Sequence, residues 1–206
     1  MLILAGSETA AATLTVAVLA LGLHKDVLNK LKDEQLIMID KHGTEEMTRE
    51  MIEKDCPYLE AVVKETLRIK PFGIGFRRVA EETIVVDGTQ IPKGNLVAFN
   101  IYLTHEGDPA VKEENNAHMD IVKGFKPERW LNDGTKPTEY MPFGYGPRFC
   151  LGYNLALAEM KVFLALLARR VDFNLVNMSQ DSITWKKTGI VPKPADGVVV
   201  ELTSLS

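Results

Sequence analysis

The chain has 206 residues, of which 46% are apolar and 25% charged, and its formal net charge is −4. This length suits one ordinary domain and is short for two, and the acidic balance excludes the extended basic surface typical of a nucleic-acid-binding protein. Two cysteines, Cys56 and Cys150, are too few for a disulfide framework, so a reducing or cytosol-facing environment is expected.

The first 23 residues predict a helix that is apolar nearly all round, which is typical of a helix in the middle of a larger protein. A signal peptide would have a Lys or Arg before its apolar run, and none is present here. Glu8 limits the charge-free stretch to residues 9–23, whereas a membrane span needs ~20 apolar residues. We therefore expect a buried core helix, with a signal peptide or a membrane span as the alternative.

Three further helices are predicted in the first half of the chain. Residues 24–40 are amphipathic, with leucines and isoleucines recurring among charged residues. Thr48 is a suitable N-cap for a short helix over 49–54. Pro57 suits the first turn of a helix over 58–69, which Pro71 ends.

In the middle of the chain, the apolar pattern changes to the shorter period that is typical of β-strands. Turn residues at 87–88 and 92–94 separate the candidate strands, which suggests a small antiparallel sheet. Residues 108–133 are polar and mostly irregular, and 137–147 are rich in turns. The predicted strands cover 77–80, 83–86 and 96–101.

A long helix over 151–170 dominates the C-terminal part, with apolar residues at helical spacing. Residues 182–185 and 198–202 are compatible with a terminal hairpin. The predicted fold class is therefore mainly α with a small antiparallel β part.

The segment 143–152 reads Phe-Gly-Tyr-Gly-Pro-Arg-Phe-Cys-Leu-Gly. It places a cysteine beside an arginine just ahead of the long helix, an environment that favours a thiolate through the helix dipole and free N–H groups. Glycines have no Cβ, so the backbone can approach a flat object closely. A haem held through a cysteine sulfur needs this combination, because the thiolate pushes electron density onto the iron.

This segment resembles the haem-binding loop of the cytochrome P450 superfamily, whose pattern Phe-x-x-Gly-x-Arg-x-Cys-x-Gly is complete here. The resemblance implies haem b as cofactor and Cys150 as the axial ligand of its iron. It makes Arg148 a partner of a haem propionate, Phe143 the ring beside the sulfur, and Gly144 a point of close approach to the haem. The alternative is that Cys150 is a small buried core residue in a glycine-rich turn.

Glu65 and Arg68 lie three residues apart on one predicted helix face. Most such pairs are solvated and contribute little, but here the pair resembles the family's Glu-x-x-Arg helix. The resemblance implies a buried trio with Arg129 of a Pro-Glu-Arg segment, in a structural role. Trp130 follows that arginine where the family usually has Phe, which is a mild departure.

Residues 5–9, Ala-Gly-Ser-Glu-Thr, resemble the family's motif on the long helix that crosses the distal haem face. A glycine followed by a carboxylate and a hydroxyl in an apolar helix can open the backbone ladder and admit water. The resemblance implies that Thr9 holds the hydrogen-bond network of bound dioxygen and that Glu8 relays protons. The alternative is a fraying helix start, and Ala10, where the family often has a second hydroxyl, leaves proton delivery less certain than iron ligation.

Arg78 aligns with an arginine that commonly binds a propionate in the family, and Arg77 is the adjacent candidate; a surface salt bridge is the alternative for both. The segments 71–76 and 189–191 are expected to border an apolar substrate pocket. Its candidate lining residues are Phe72, Ile74 and Ile190, for which simple core packing is the alternative.

The resemblance implies a monooxygenase that uses dioxygen, two electrons and two protons to oxidise an apolar small molecule. Electrons would come from NAD(P)H through a reductase or ferredoxin-type donor, docking near basic residues such as Lys126, Arg129 and Lys161. Residues 1–206 are expected to form only the C-terminal half of the family domain, beginning at the distal helix, and that half alone is expected to be inactive. No nucleic-acid partner is expected, and the location would be the cytosolic side of the endoplasmic reticulum in a eukaryote or otherwise the cytoplasm.

Two other functions remain open from the sequence. A haem-thiolate isomerase or dehydratase of the same fold needs no external electrons, but such enzymes tend to lack the acid–alcohol pair that Glu8 and Thr9 provide. A truncated, non-catalytic remnant that binds haem poorly is the other, because the helices that roof the distal face are not part of the sequence.

Overall fold

The computed structural model describes residues 2–72, 74–79, 81–186 and 192–204, and about half of these residues are helical. The helices are α1 Leu2–Leu23, α2 Lys25–His42, α3 Arg49–Asp55, α4 Pro57–Ile69, α5 Ile101–Glu106 and α6 Tyr153–Arg170. Short 3-10 turns occur at Glu114–Met119, Pro127–Trp130 and Gly146–Arg148. The mainly helical fold class predicted from the sequence is thereby confirmed.

The helix boundaries follow the local signals in the sequence. The Thr48 hydroxyl accepts a hydrogen bond from the Met51 amide at 3.2 Å and caps α3. Pro57 occupies the first turn of α4, where its missing N–H is not needed. Glu34 of α2 adds a cap that the sequence does not reveal, because its carboxylate accepts hydrogen bonds from the amides of Tyr58 and Leu59.

The strands form three separate antiparallel pairs rather than one small sheet. Residues 74–78 pair with 96–100, 84–86 with 89–91, and 171–175 with 200–204. The predicted terminal hairpin is wrong, because the last strand pairs with the strand that follows α6, and Trp185 instead makes an isolated bridge to Pro194. The strands are β1 Ile74–Arg78, β2 Ile84–Val86, β3 Thr89–Ile91, β4 Leu96–Asn100, β5 Val171–Leu175 and β6 Val200–Ser204.

The hydrophobic core lies where α1, α2, α4 and α6 meet, with β5 covering one side of α1. Leu19, Leu28, Leu59 and Leu164, one from each helix, are all essentially inaccessible to solvent. The window Gly6–Leu23 is long and apolar enough to cross a membrane by length and composition, but a core helix passes the same test. Its packing against three helices agrees with the buried core helix that the sequence predicts.

Candidate functional site

Cys150 lies in a loop, residues 143–150, that we call the cysteine loop, three residues before α6 begins. The Cys150 amide donates to the Phe143 carbonyl oxygen at 3.1 Å and closes the loop, and the Cys150 carbonyl accepts from the Tyr153 amide at 3.3 Å. The thiol is free and exposed. The alternative of a buried core cysteine is therefore wrong for Cys150, and it describes Cys56 instead.

Two glycines give the cysteine loop its shape. Gly144 and Gly146 have φ values of 78° and 69°, a left-handed conformation that side chains with a Cβ adopt at a cost. A Cβ built at either position would meet no atom within 4 Å, so the space beside both glycines is open. The loop thus offers bare backbone to a group lying against it.

Aromatic and aliphatic residues lie close to Cys150 in the chain, in the cysteine loop and at the start of α6. Phe143 packs edge-on against Tyr153, with ring centroids 4.9 Å apart, and Tyr153 in turn lies 5.1 Å from Phe149. Leu151 is 91% exposed and Leu155 is 63% exposed, so this part of the surface is apolar. A thiol, bare glycine backbone and uncovered apolar side chains fit the chemistry of a flat, apolar haem ligated through sulfur.

The buried carboxylate of Glu65 is the most heavily hydrogen-bonded acidic group among the residues that the structure describes. Both arginines predicted to join it do so: Arg68 donates through Nε and Nη2 at 2.9 Å each, and Arg129 donates through Nε at 2.9 Å. The Lys126 amide adds a bond at 3.0 Å. Glu65 is 0% exposed and Arg68 is 1% exposed, so these charges are compensated only by one another and by hydrogen bonds.

Trp130 is a further member of this cluster that the sequence did not predict. Its indole Nε1–H donates to Glu65 Oε2 at 2.9 Å, which a phenylalanine at this position would not do. The ring also packs edge-on against Tyr140, with centroids 4.7 Å apart. What looked like a mild departure from the family pattern is thus a hydrogen-bond donor to the buried carboxylate.

His118 and Gly124 complete the surroundings of Arg68. The Arg68 guanidinium donates to His118 Nδ1 at 3.1 Å, and burial together with the arginine charge lowers the pKa of His118, which keeps the imidazole neutral. A Cβ on Gly124 would come within 2.4 Å of the Ala117 carbonyl oxygen, so only glycine fits there. No sequence pattern pointed to His118, which lies 50 residues from Arg68.

Glu8 and Thr9 lie in the N-terminal part of α1. Glu8 pairs with Lys193 at 2.7 Å, and the hydrogen bond and charge of Lys193 hold the pKa of Glu8 below its usual range. The Thr9 hydroxyl donates back to the Gly6 carbonyl oxygen at 3.3 Å. The expected opening of the helix at this motif is not observed, since α1 is continuous through residues 5–9.

The propionate candidates occupy β1. Arg78 is exposed and donates to the Gly94 carbonyl at 2.8 Å, while Arg77 lies over the Phe99 ring at 5.6 Å. Neighbouring residues of a strand point to opposite faces, so only one of the two can face a given ligand. Phe72 is partly exposed as a pocket-lining residue must be, and the segment 189–191 with Ile190 lies outside the described residues.

Two of the basic residues expected to face an electron donor are not on the surface. Arg129 belongs to the Glu65 cluster, and Lys161 is 9% exposed and paired with Glu60 at 3.0 Å. Lys126 is exposed and pairs with Glu113 at 3.4 Å.

Comparison with known proteins shows which family the chain resembles along almost its whole length. The family model described as Cytochrome P450 matches residues 1–199. A putative cytochrome P450 120 from Synechocystis is 35% identical over 210 residues, covering 100% of this chain and 44% of that protein. A probable mitochondrial cytochrome P450 12d1 from Drosophila melanogaster is 34% identical, over 94% of this chain and 36% of that protein. The chain therefore spans well under half the length of these relatives.

Similarity extends to the three-dimensional structure. The solved structure described as retinoic acid bound cyanobacterial CYP120A1 superimposes with a TM-score of 0.82 at 34% sequence identity. The match covers 99% of this chain and 44% of that one. Rabbit cytochrome P450 3A6 is a further relative, 33% identical over 98% of this chain and 39% of its own length.

Proposed function

The chain belongs to the cytochrome P450 family, and from this membership we propose that the protein is a haem-thiolate monooxygenase with Cys150 as the axial ligand of haem b. One observation carries the assignment: the Cys150 thiol is exposed at the end of a loop whose glycines leave bare backbone and open space beside it. We propose that residues 1–206 form part of the family domain, running from the distal helix to the C-terminus. The proposal favours a monooxygenase over an isomerase or dehydratase because Glu8 and Thr9 are both present.

A thiolate-ligated haem supplies the activation of dioxygen, in which two electrons and two protons allow one oxygen atom to enter the substrate while the other leaves as water. The chain would hold this cofactor from several sides. Gly144 would admit the haem face to the backbone, and the Phe143 ring would pack beside the sulfur. Arg148, exposed at the end of its 3-10 turn, and Arg78 of β1 would pair with the propionates.

Proton delivery is assigned to α1. Glu8 is exposed and carries a negative charge at neutral pH, as an ordinary glutamate does, and the hydrogen bond from Lys193 lowers its pKa further. We propose that this carboxylate, at the solvent end of the motif, relays protons toward Thr9. Thr9 presents a hydroxyl one residue further along, and we propose that this hydroxyl would order the hydrogen bonds along which protons enter the haem site when the cofactor is bound.

The partners follow from the same chemistry. We propose an apolar small-molecule substrate, bordered by Phe72, and electron supply from NAD(P)H through a reductase or ferredoxin-type protein. Retinoic acid bound to the similar cyanobacterial structure is an apolar ligand of this class. Lys126 is the exposed basic residue that the proposal leaves for docking of the electron donor.

The test is the ferrous–CO absorption spectrum of the haem-loaded protein. Thiolate ligation by Cys150 predicts the long-wavelength band characteristic of that ligand. Cys150→Ser should abolish this band, whether or not the variant retains haem. Cys56→Ala is the matched control, because Cys56 is buried beside Met38 and should leave the band unchanged. Persistence of the band in Cys150→Ser would contradict the assignment.

A further inference from the structure

Two buried side chains hold the backbone of the segment that leads into the cysteine loop. Asp108 Oδ2 accepts from the amides of Thr138 at 2.7 Å and Glu139 at 2.9 Å. His105 Nε2 accepts from the Met141 amide at 3.0 Å. Asp108 Oδ1 also accepts from the Thr138 hydroxyl at 2.8 Å. We call these two residues the His105–Asp108 clamp, and they are 0% and 1% exposed.

The same clamp is tied to the end of α4. His105 Nδ1–H donates to the Arg68 carbonyl oxygen at 2.9 Å, so one imidazole joins α4 to the backbone of residue 141. The ring stacks on Tyr140 with centroids 5.6 Å apart, and Tyr140 contacts Trp130 of the Glu65 cluster. Residues 138–141 are therefore fixed both by hydrogen bonds and by an aromatic stack.

The path from the clamp to the thiol is short and continuous. The Met141 carbonyl oxygen accepts a hydrogen bond from the Gly144 amide at 3.0 Å, and the following residue, Pro142, is buried. The carbonyl oxygen of Phe143, the next residue, accepts a hydrogen bond from the Cys150 amide at 3.1 Å. A shift of the 138–141 backbone is thus transmitted to the residue that closes the cysteine loop.

Both clamp residues are held in the protonation state that these bonds require. Burial lowers the pKa of His105 to about 4 in spite of its bond to the Arg68 carbonyl, so Nε2 keeps its acceptor lone pair at neutral pH. Burial raises the pKa of Asp108, but the bonds from Glu139, Ala110 and Thr138 outweigh it and hold that pKa below the usual range. The charged or titratable groups that face His105 are Arg68 of α4, Asp108 and Tyr140.

We propose that His105 and Asp108 are positioning residues for the iron ligand, which set the place of the Cys150 thiol by fixing residues 138–141. The proposal rests on the proposed function, since it concerns the same cysteine. Neither residue is among those proposed to hold the haem; each acts through backbone amides of the segment it holds.

The test measures ligation rather than turnover. In the haem-loaded protein, the ratio of the thiolate CO band to the shorter-wavelength band should fall by about tenfold or more in His105→Leu and in Asp108→Asn. Each variant loses two buried hydrogen bonds, and the loss of one alone corresponds to roughly tenfold. His105→Gln should restore much of the ratio, because an amide side chain carries both a donor and an acceptor. The Asp108→Asn side chain keeps the size of aspartate and one acceptor oxygen. This variant therefore tests the proposal if His105→Leu fails to fold.

A control for general destabilisation separates positioning from simple stability. Val27→Ala removes buried methyl groups from α2, a helix outside the clamp, and should lower the melting temperature without changing the band ratio. An equal change of ratio in Val27→Ala and in the clamp variants at equal loss of melting temperature would overturn the proposal, as would an unchanged ratio in His105→Leu. A wild-type protein with no thiolate band would overturn the proposed function as well.

Discussion

Replacing Glu65 with glutamine is expected to lower the free energy of unfolding by about 3–5 kcal/mol, because it leaves buried arginine charge without its counter-ion. The wild-type carboxylate accepts five N–H bonds, from Arg68 (two), Lys126, Arg129 and Trp130. Glutamine has one acceptor oxygen, and its NH₂ group would face donors. Total domain stability is about 5–15 kcal/mol, so much of the haem-loaded protein should be lost.

Two further variants set the scale of this loss. Trp130→Phe removes one of the five bonds and retains the ring, so we expect about 1.5–3 kcal/mol, the range for a hydrogen bond to a charged group. Glu50→Gln is the matched control, because Glu50 pairs with Lys54 on an exposed face of α3, and such pairs contribute about 0.5 kcal/mol or less. Chemical unfolding and haem content of the three variants give the comparison. Equal stability of Glu65→Gln and Glu50→Gln would refute the reasoning.

Three other outcomes are expected. The protein should lose about 3 kcal/mol of stability as the pH falls from 6.5 toward 4. In this range histidine in the unfolded chain binds a proton, whereas buried His105, with its pKa lowered to about 4, does not. The free energy of unfolding measured against pH should therefore fall less steeply in His105→Gln. Gly144→Ala should cost about 1–2 kcal/mol because of its positive φ, whereas Gly152→Ala, with φ of −86° and open space around it, should be tolerated in the same unfolding assay. In the full-length enzyme, Thr9→Ala should leave the CO spectrum intact but raise the hydrogen peroxide released per NAD(P)H oxidised. Product formation should be about tenfold slower, equivalent to ~1.4 kcal/mol, and an unchanged peroxide yield would mean that Thr9 serves only as part of the helix.

The sequence predicted most reliably the elements whose signals are local. Three local signals each placed a helix to within one or two residues: Thr48, Pro57 and the helical spacing of apolar residues in 151–170. The pairing of strands was predicted poorly, because partner choice depends on tertiary packing: β6 pairs with β5 across the end of α6. Helix α5 was missed altogether, since six residues between a strand and a polar region show too little periodicity to be recognised.

In the candidate site, too, the sequence revealed the local motifs and missed the residues that the fold brings together. The glycine-rich loop and the Glu65–Arg68 pair lie within short segments, so a motif reveals them. His105, Asp108 and His118 serve the same region from 30 to 50 residues away. Nothing in the sequence marks these histidines as buried acceptors for an arginine or a backbone amide. Hydrogen-bond roles of this kind depend on the fold and have no spacing of their own.

The Glu65 cluster and the His105–Asp108 clamp divide one task between them. The cluster compensates buried charge, so its loss should appear first as lost stability and lost haem content. The clamp binds neutral backbone amides, so its loss should appear first as a misplaced thiol in protein that is still folded. Trp130→Phe therefore provides the sharpest comparison with His105→Leu, because Tyr140 stacks between the two side chains. If Trp130→Phe lowers stability without altering the CO band ratio, the aromatic stack carries little of the positioning, and the two hydrogen bonds of His105 carry the rest.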